Sequence, residues 1–167
     1  MSIRLESERI TTSAETTEAL AAAFGASCHG GELVVLTGEL GAGKTCFVRG
    51  FVRGCGGDSR AVKSPSFTLL HSYGGRRTVH HFDVYFTKSF EDLVRADLLP
   101  VLAAGEVALI EWGERFAREL PVDRLEIELT HVDPQTRRLR FRGAGTRAVA
   151  WLEAALKAHD SPGTSGS

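Results

Sequence analysis

Apolar residues recur along this chain with two different periods, and the changes of period mark its elements. Leu33 to Thr37 is an almost wholly apolar run, the pattern of a strand buried on both faces. Beyond it, Cys46, Phe47, Val48, Phe51 and Val52 recur at helical spacing with Arg49 and Arg53 on the other side, until Gly54 and Gly56 end the run. Upstream, Thr12 to Glu15 reads as a capping box that opens an Ala-rich helix to about Cys28, stopped by Gly30 and Gly31. Downstream, Ser64 to Tyr73 reads as a turn and an edge strand, Gly74 and Gly75 as a turn, and Thr78 to Tyr85 as a strand. The pattern then predicts a helix from about Phe90 to Leu102 capped by Ser89, and a buried strand from Val107 to Trp112. Strands Leu125 to Val132 and Arg138 to Arg142 flank an Asp133–Pro134 turn and are expected to form a hairpin. A last helix covers Thr146 to Ala158. The Ser-, Gly- and Pro-rich stretch from Asp160 to Ser167 is expected to be a disordered tail after a single domain spanning residues 1–159.

The junction between the first buried strand and the helix after it carries the chemistry. Gly38, Glu39, Leu40, Gly41, Ala42, Gly43, Lys44 and Thr45 spell a complete G-x-x-x-x-G-K-[ST] phosphate loop. Its glycines let the backbone curl so that several N–H groups aim at one anion, Lys44 adds a point charge, and Thr45 offers a hydroxyl to magnesium. Strand, loop and helix follow in the order that sets phosphate at a helix N-terminus, so Glu39 to Thr45 and Cys46 are the expected nucleotide contacts. Strand-heavy and helix-heavy segments alternate through Trp112. This predicts an α/β fold: a three-layer P-loop NTPase sandwich whose mainly parallel core sheet is extended by the antiparallel C-terminal hairpin.

Composition narrows the partners and the compartment. With 167 residues and 43% hydrophobic positions, the chain matches one globular domain with a sizeable core. A formal net charge of -1 argues against binding nucleic acid by bulk electrostatics. No apolar stretch approaches the ~20 residues of a membrane span, and no signal peptide opens the chain, so no membrane role is expected. Cys28, Cys46 and Cys55 show no C-x-x-C pairing, which suggests neither a disulfide framework nor a zinc site. A reducing cytoplasm is the expected compartment.

Phosphoryl chemistry also needs a carboxylate that holds the metal and something that positions the attacking group. Glu111 closes Val107 to Ile110, the pattern of a buried strand that delivers a carboxylate to the edge where Thr45 lies; Asp83 follows Val79 to Phe82 in the same way. Ser64 to Tyr73 brings hydroxyls, Ser66 among them, near the expected phosphate position beside a chain-restricting proline. His80 and His81 are adjacent, point to opposite faces of their strand, and cannot both ligate one metal; at least one is structural. Arg138, Arg140 and Arg142 alternate with Leu139 and Phe141, a basic face that reads as solvated or, more sharply, as a contact for RNA or a partner.

The sequences GELGAGKT, SPSFTLLHSY, HFDVY and LIEW, in that order and at these separations, resemble the TsaE (YjeE) ATPases of bacterial tRNA threonylcarbamoyladenosine (t6A) biosynthesis. The resemblance covers Thr12 to Trp112 well and the C-terminal hairpin and helix loosely. It implies an ATP- and Mg2+-dependent ATPase that works with the TsaD and TsaB proteins, and through them on tRNA, in modifying adenosine 37 of tRNAs that read codons beginning with A. It further implies that Lys44 contacts the β- and γ-phosphates, Thr45 and Glu111 hold magnesium directly or through water, and Asp83 acts in a switch around the γ-phosphate. Trp112 is then the aromatic beside the metal-site glutamate, and Thr17, or Thr16, the threonine near the nucleotide. Two positions depart from the family's pattern: Ser66 stands where Thr is usual and keeps the hydroxyl, whereas Phe86 stands where an arginine usually follows the tyrosine.

A GTP-binding switch is decisively weakened as a reading, because the chain contains no Asn and so no guanine-reading N-K-x-D motif. A small-molecule kinase remains the alternative, with Arg76 and Arg77 in the Gly-flanked turn as its candidate lid arginines. With Phe86 in place of arginine and no other arginine near the loop by sequence position, slow turnover alone and acceleration by the partners are expected.

Overall fold

The computed structural model describes residues 3–65 and 68–161. Among them, seven strands form one sheet: β1 (Arg4–Thr11), β2 (Leu33–Thr37), β3 (Leu70–Tyr73), β4 (Val79–Asp83), β5 (Val107–Glu111), β6 (Arg124–His131) and β7 (Arg137–Ala144), in the order β1-β7-β6-β2-β5-β4-β3. The four strands β6, β2, β5 and β4 run parallel, and the margins are antiparallel, β7 on β6, β1 on β7 and β3 on β4. The apolar Leu33 to Thr37 run is therefore central, as a strand buried on both faces must be.

Helices cover both faces: α1 (Ala14–Ser27), α2 (Lys44–Gly54), α3 (Phe90–Arg95), α4 (Leu98–Ala103) and α5 (Thr146–Asp160). Because side chains alternate across a strand, Val34 and Leu36 of β2 join the larger core with α1, α2 and α5, while Leu33 and Val35 join Phe82, Leu93, Leu98 and Phe116 on the opposite face. Three layers result.

Helices α1 and α2 approach backbone to backbone through glycines. A Cβ at Gly25 would lie 2.1 Å from the Phe51 carbonyl oxygen, one at Gly50 2.2 Å from that of Glu18, and one at Gly54 2.1 Å from that of Ala22. Glu18 then reaches both Arg49 and Arg53 at 3.4 Å. This contact fixes the start of α1 beside the start of α2, where the phosphate loop ends.

Three expectations need correction, and one strand was not expected. Strand β1 carried no apolar alternation to read, since its inward positions are Leu5, Ser7 and Arg9; it forms by pairing with β7 along its whole length. The cap of α1 is Ser13, whose hydroxyl accepts from the Thr16 amide while the Thr16 hydroxyl accepts from Ser13, rather than a box from Thr12 to Glu15. The helix expected from Phe90 to Leu102 breaks into α3 and α4 at Asp97, which takes a left-handed φ of 63°. Pro100 explains the break: in a continuous helix its ring would meet the carbonyl of Ala96. At the C-terminus, α5 runs through Asp160, which pairs with Arg9 of β1 at 2.6 Å, so the tail begins later than expected; residues 162–167 lie outside the described ones.

Candidate functional site

Parallel strands β2, β5 and β4 end on one edge of the sheet, and the turn after β2 is the phosphate loop. Gly43 closes that loop at φ 107°, a left-handed conformation that glycine adopts without strain, and α2 begins at the next residue. The first-turn amides of α2 lack helical carbonyl partners and face the loop's concavity, a ready site for an anion. Lys44 is 5% exposed. Its ammonium donates to the carbonyls of Gly38 and Glu39 and lies 4.0 Å from the centre of the Trp112 ring. Burial lowers its pKa, and the carboxylates of Glu111, Glu114 and Asp83 act the other way.

The register of the sheet brings the two carboxylates to this edge. Asp83 of β4 lies directly across from Glu111 of β5, and both are 3% exposed. Glu111 Oε1 accepts from the Thr45 hydroxyl at 3.0 Å and pairs with His81 Nε2 at 2.9 Å. Asp83 accepts from the Ser64 hydroxyl at 3.1 Å and from the Tyr85 amide at 2.9 Å, tying the turn after β4 to the segment before β3. Ser66 lies outside the described residues. A hydroxyl and a carboxylate are hard oxygen donors, and among the described residues no group of three or more His, Cys, Asp or Glu forms a metal cage. That donor set suits a magnesium ion, which takes one or two protein groups and completes its shell with phosphate oxygens and water.

Two of the clefts beside the loop share Gly41, Gly43 and Cys46. The first, of about 500 Å³, is lined by Lys44, Thr45, Ser64, Asp83, Glu111 and Trp112, with Leu40, Tyr85 and Phe86 at its rim. Leu40 is 75% exposed and Phe86 59%; the Phe86 ring meets Tyr85 edge-on at 4.8 Å, and Tyr85 leans on Trp112 at 5.2 Å. The second cleft, of about 460 Å³, lies between the start of α1 (Ser13, Ala14, Glu15, Thr17) and the β6–β7 turn (Pro134, Gln135, Arg137). Thr17 lines it, but its hydroxyl is shared with Thr11 at 2.6 Å and reaches the Ser13 carbonyl at 3.2 Å; the Thr16 hydroxyl is taken up in the capping box with Ser13. Cys46 bridges the clefts as a thiol, its pKa pushed up to about 11 by burial and by Glu18. Of the remaining expected contacts, Leu40, Lys44 and Thr45 line the first cleft alone, Ala42 is buried, and Glu39 lines a further cleft with Gly38 and Trp112.

Sequence order concealed two arginines. Arg137, from the far side of the sheet, donates through Nε to the Ala42 carbonyl at 3.1 Å while also holding the carbonyls of Asp133, Pro134 and Thr136. Arg115 donates to the carbonyls of Val84 at 2.8 Å and Tyr85 at 3.0 Å, so a guanidinium does stand behind the turn that bears Phe86. The candidate lid arginine Arg76 points elsewhere, capping the C-terminal carbonyls Gly25, Ala26 and Cys28 of α1, and Arg77 lies beside Gly30. The Arg138, Arg140 and Arg142 stripe is an exposed face whose charges meet Glu8 of β1 and Glu128 of β6 at 3.2 to 3.7 Å.

Comparison with known proteins bears on the whole arrangement. The family model described as threonylcarbamoyl adenosine biosynthesis protein TsaE matches residues 11–139. A tRNA threonylcarbamoyladenosine biosynthesis protein TsaE from Treponema pallidum is 42% identical over 120 residues, covering 72% of this chain and 88% of the relative. The protein of the same name from Bacillus subtilis is 35% identical over 153 residues, 90% of this chain and 94% of the relative. The crystal structure of Bacillus subtilis YdiB superposes with a TM-score of 0.76 at 26% identity, covering 95% of this chain and 99% of that one.

Proposed function

The chain belongs to the TsaE family of threonylcarbamoyl adenosine biosynthesis proteins, and from that premise we propose that it binds and hydrolyses ATP with magnesium to sustain formation of t6A at position 37 of tRNAs reading codons that begin with A, together with TsaD- and TsaB-like proteins. The observation that carries this reading is the meeting of Thr45 and Glu111 at 3.0 Å beside the phosphate loop. Residues from two distant segments supply there the hydroxyl and carboxylate that phosphoryl chemistry requires.

The nucleotide would lie across Gly41 to Cys46, with its terminal phosphate in the cleft of Lys44, Asp83 and Glu111 and its nucleoside in the cleft between α1 and the β6–β7 turn. Loop amides and Lys44 bind and orient the phosphates. Thr45 and Glu111 would hold magnesium, which when bound neutralises charge on the phosphate oxygens. Asp83, bonded to Ser64 and the Tyr85 amide, couples the γ-phosphate position to the two segments around it, as a switch requires. Trp112 excludes water from the Lys44 side, and the left-handed backbone of Trp112 (φ 64°) aims its ring there.

Partner dependence is supported by the side chains at the rim of the γ-phosphate cleft among the described residues. Its rim is Leu40, Tyr85 and Phe86 rather than a cation, and Arg115 is committed to backbone carbonyls. A missing arginine costs on the order of 10³ to 10⁵ in rate. Steady-state phosphate release should therefore be slow for the isolated chain and rise markedly with TsaD and TsaB added. Fast turnover alone, unchanged by the partners, would overturn the reading and favour an independent ATPase or a small-molecule kinase. Arg76, turned to the end of α1, lends the kinase no lid.

A further inference from the structure

Strand β4 reads Val79, His80, His81, Phe82, Asp83, and all but His80 are buried. Val79, Phe82 and the following Val84 are fully buried, as packing demands, yet His81 between them is also 0% exposed. An imidazole in such surroundings costs free energy unless its polar atoms are partnered. Its Nε2 lies 2.9 Å from Glu111 Oε1, whereas its Nδ1 has no hydrogen-bond partner among the described residues. The neighbouring ring of Tyr73 sits 6.4 Å away, centre to centre, and offers it none.

We propose that His81 is a positioning residue for the metal-site carboxylate, fixing Glu111 through one Nε2–H donation so that the carboxylate keeps its aim toward the phosphate loop. This rests on the assignment of Thr45 and Glu111 to magnesium given above. An ionised carboxylate only accepts hydrogen bonds, so the hydrogen between the two groups is carried by Nε2.

Oε1 of Glu111 accepts from two donors, His81 and Thr45. Thr45 is the donor that turns away when its hydroxyl oxygen serves a cation. His81 is then what restrains the carboxylate, from a strand whose register with β5 sets its distance. Outer-shell partners of this kind typically change metal affinity 10- to 100-fold when removed.

The test measures binding of a fluorescent ADP analogue as magnesium is titrated. His81→Phe should raise the magnesium midpoint at least ~10-fold while leaving affinity in EDTA within about twofold. His81→Gln, whose amide nitrogen stands where Nε2 does, should restore the wild-type midpoint. A wild-type midpoint for His81→Phe, or equal impairment of both variants, would overturn the proposal. Nitrogen-15 NMR of the wild-type chain needs no variant to fold: a hydrogen on Nε2 of His81 supports the proposal, and an Nδ1–H tautomer with Nε2 bare sinks it. Glu111→Gln run in parallel separates the two levels. If it shifts the midpoint and His81→Phe does not, only the role of His81 falls; if neither shifts it, the metal assignment itself falls.

Discussion

The two clefts beside the phosphate loop are built in opposite ways. The one at Glu111 is made of side chains that the parallel sheet holds: Asp83 and Glu111 sit in register on adjacent buried strands, and His81 is locked behind them. The one at Thr17 is walled by the start of a helix and by a hairpin turn, brought together by the glycine contact of α1 with α2 and by Arg137 reaching the Ala42 carbonyl. Sheet register is rigid and leaves little freedom to the carboxylates, as chemistry needs. A turn and a helix end tolerate substitution more readily.

The sharpest way to break this contrast is to remove chemistry without removing binding. Glu111→Ala should lower phosphate release by on the order of 10² to 10³ while ADP affinity stays within several-fold, because the loop amides and Lys44 still hold the phosphates. Lys44→Ala should weaken binding itself. If Glu111→Ala hydrolyses ATP at the normal rate, the carboxylate cleft has been misassigned.

Next in size is the helix contact. Gly50→Ala puts a methyl group where the Glu18 carbonyl stands, and should destabilise the fold by about 1–3 kcal/mol, read as a lower midpoint in urea. If the contrast holds, what nucleotide affinity is lost should be lost equally with and without magnesium, since α1 moves and the sheet does not. A selective loss of the magnesium response would show that the clefts are not separate.

Arg137→Ala should weaken nucleotide binding about five- to tenfold, roughly 1 kcal/mol, with turnover at saturating ATP little changed. Lysine should not rescue it, because one ammonium cannot reproduce the guanidinium's fork across the Ala42, Asp133 and Thr136 carbonyls. A fall in saturating turnover instead would assign Arg137 to the chemistry. The smallest effect belongs to the charged face away from both clefts: Arg140→Ala should change stability by less than about 0.5 kcal/mol, since its pair with Glu8 is exposed. A larger change in t6A formation than in stability would make that face a contact surface.

Much of this was legible in the residues. The phosphate loop, the central position of Leu33 to Thr37 and the strand-end placement of Asp83 and Glu111 all follow from local rules, in which apolar periodicity and the loop's glycines act over a few residues. The pairing of Glu111 with His81 was half legible, because a histidine within an apolar strand is a signal, but its partner lies on another strand. Strand β1 and the break at Asp97 were missed for different reasons. The first has no apolar period, and the second depends on how Pro100 is met by the turn before it.

The sequence by itself determined that a phosphate loop follows a buried strand, that two carboxylates end strands, and, through four motifs in order, which family the chain resembles. Only the tertiary structure decided which side chains meet: that Arg137 reaches the loop from the opposite margin, that Arg76 caps a helix instead of covering phosphates, and that Glu8 and Glu128 answer the arginine stripe. Those contacts depend on strand order and register across the sheet, and no local pattern encodes them, because pairing between distant segments is set by the packing of the whole core.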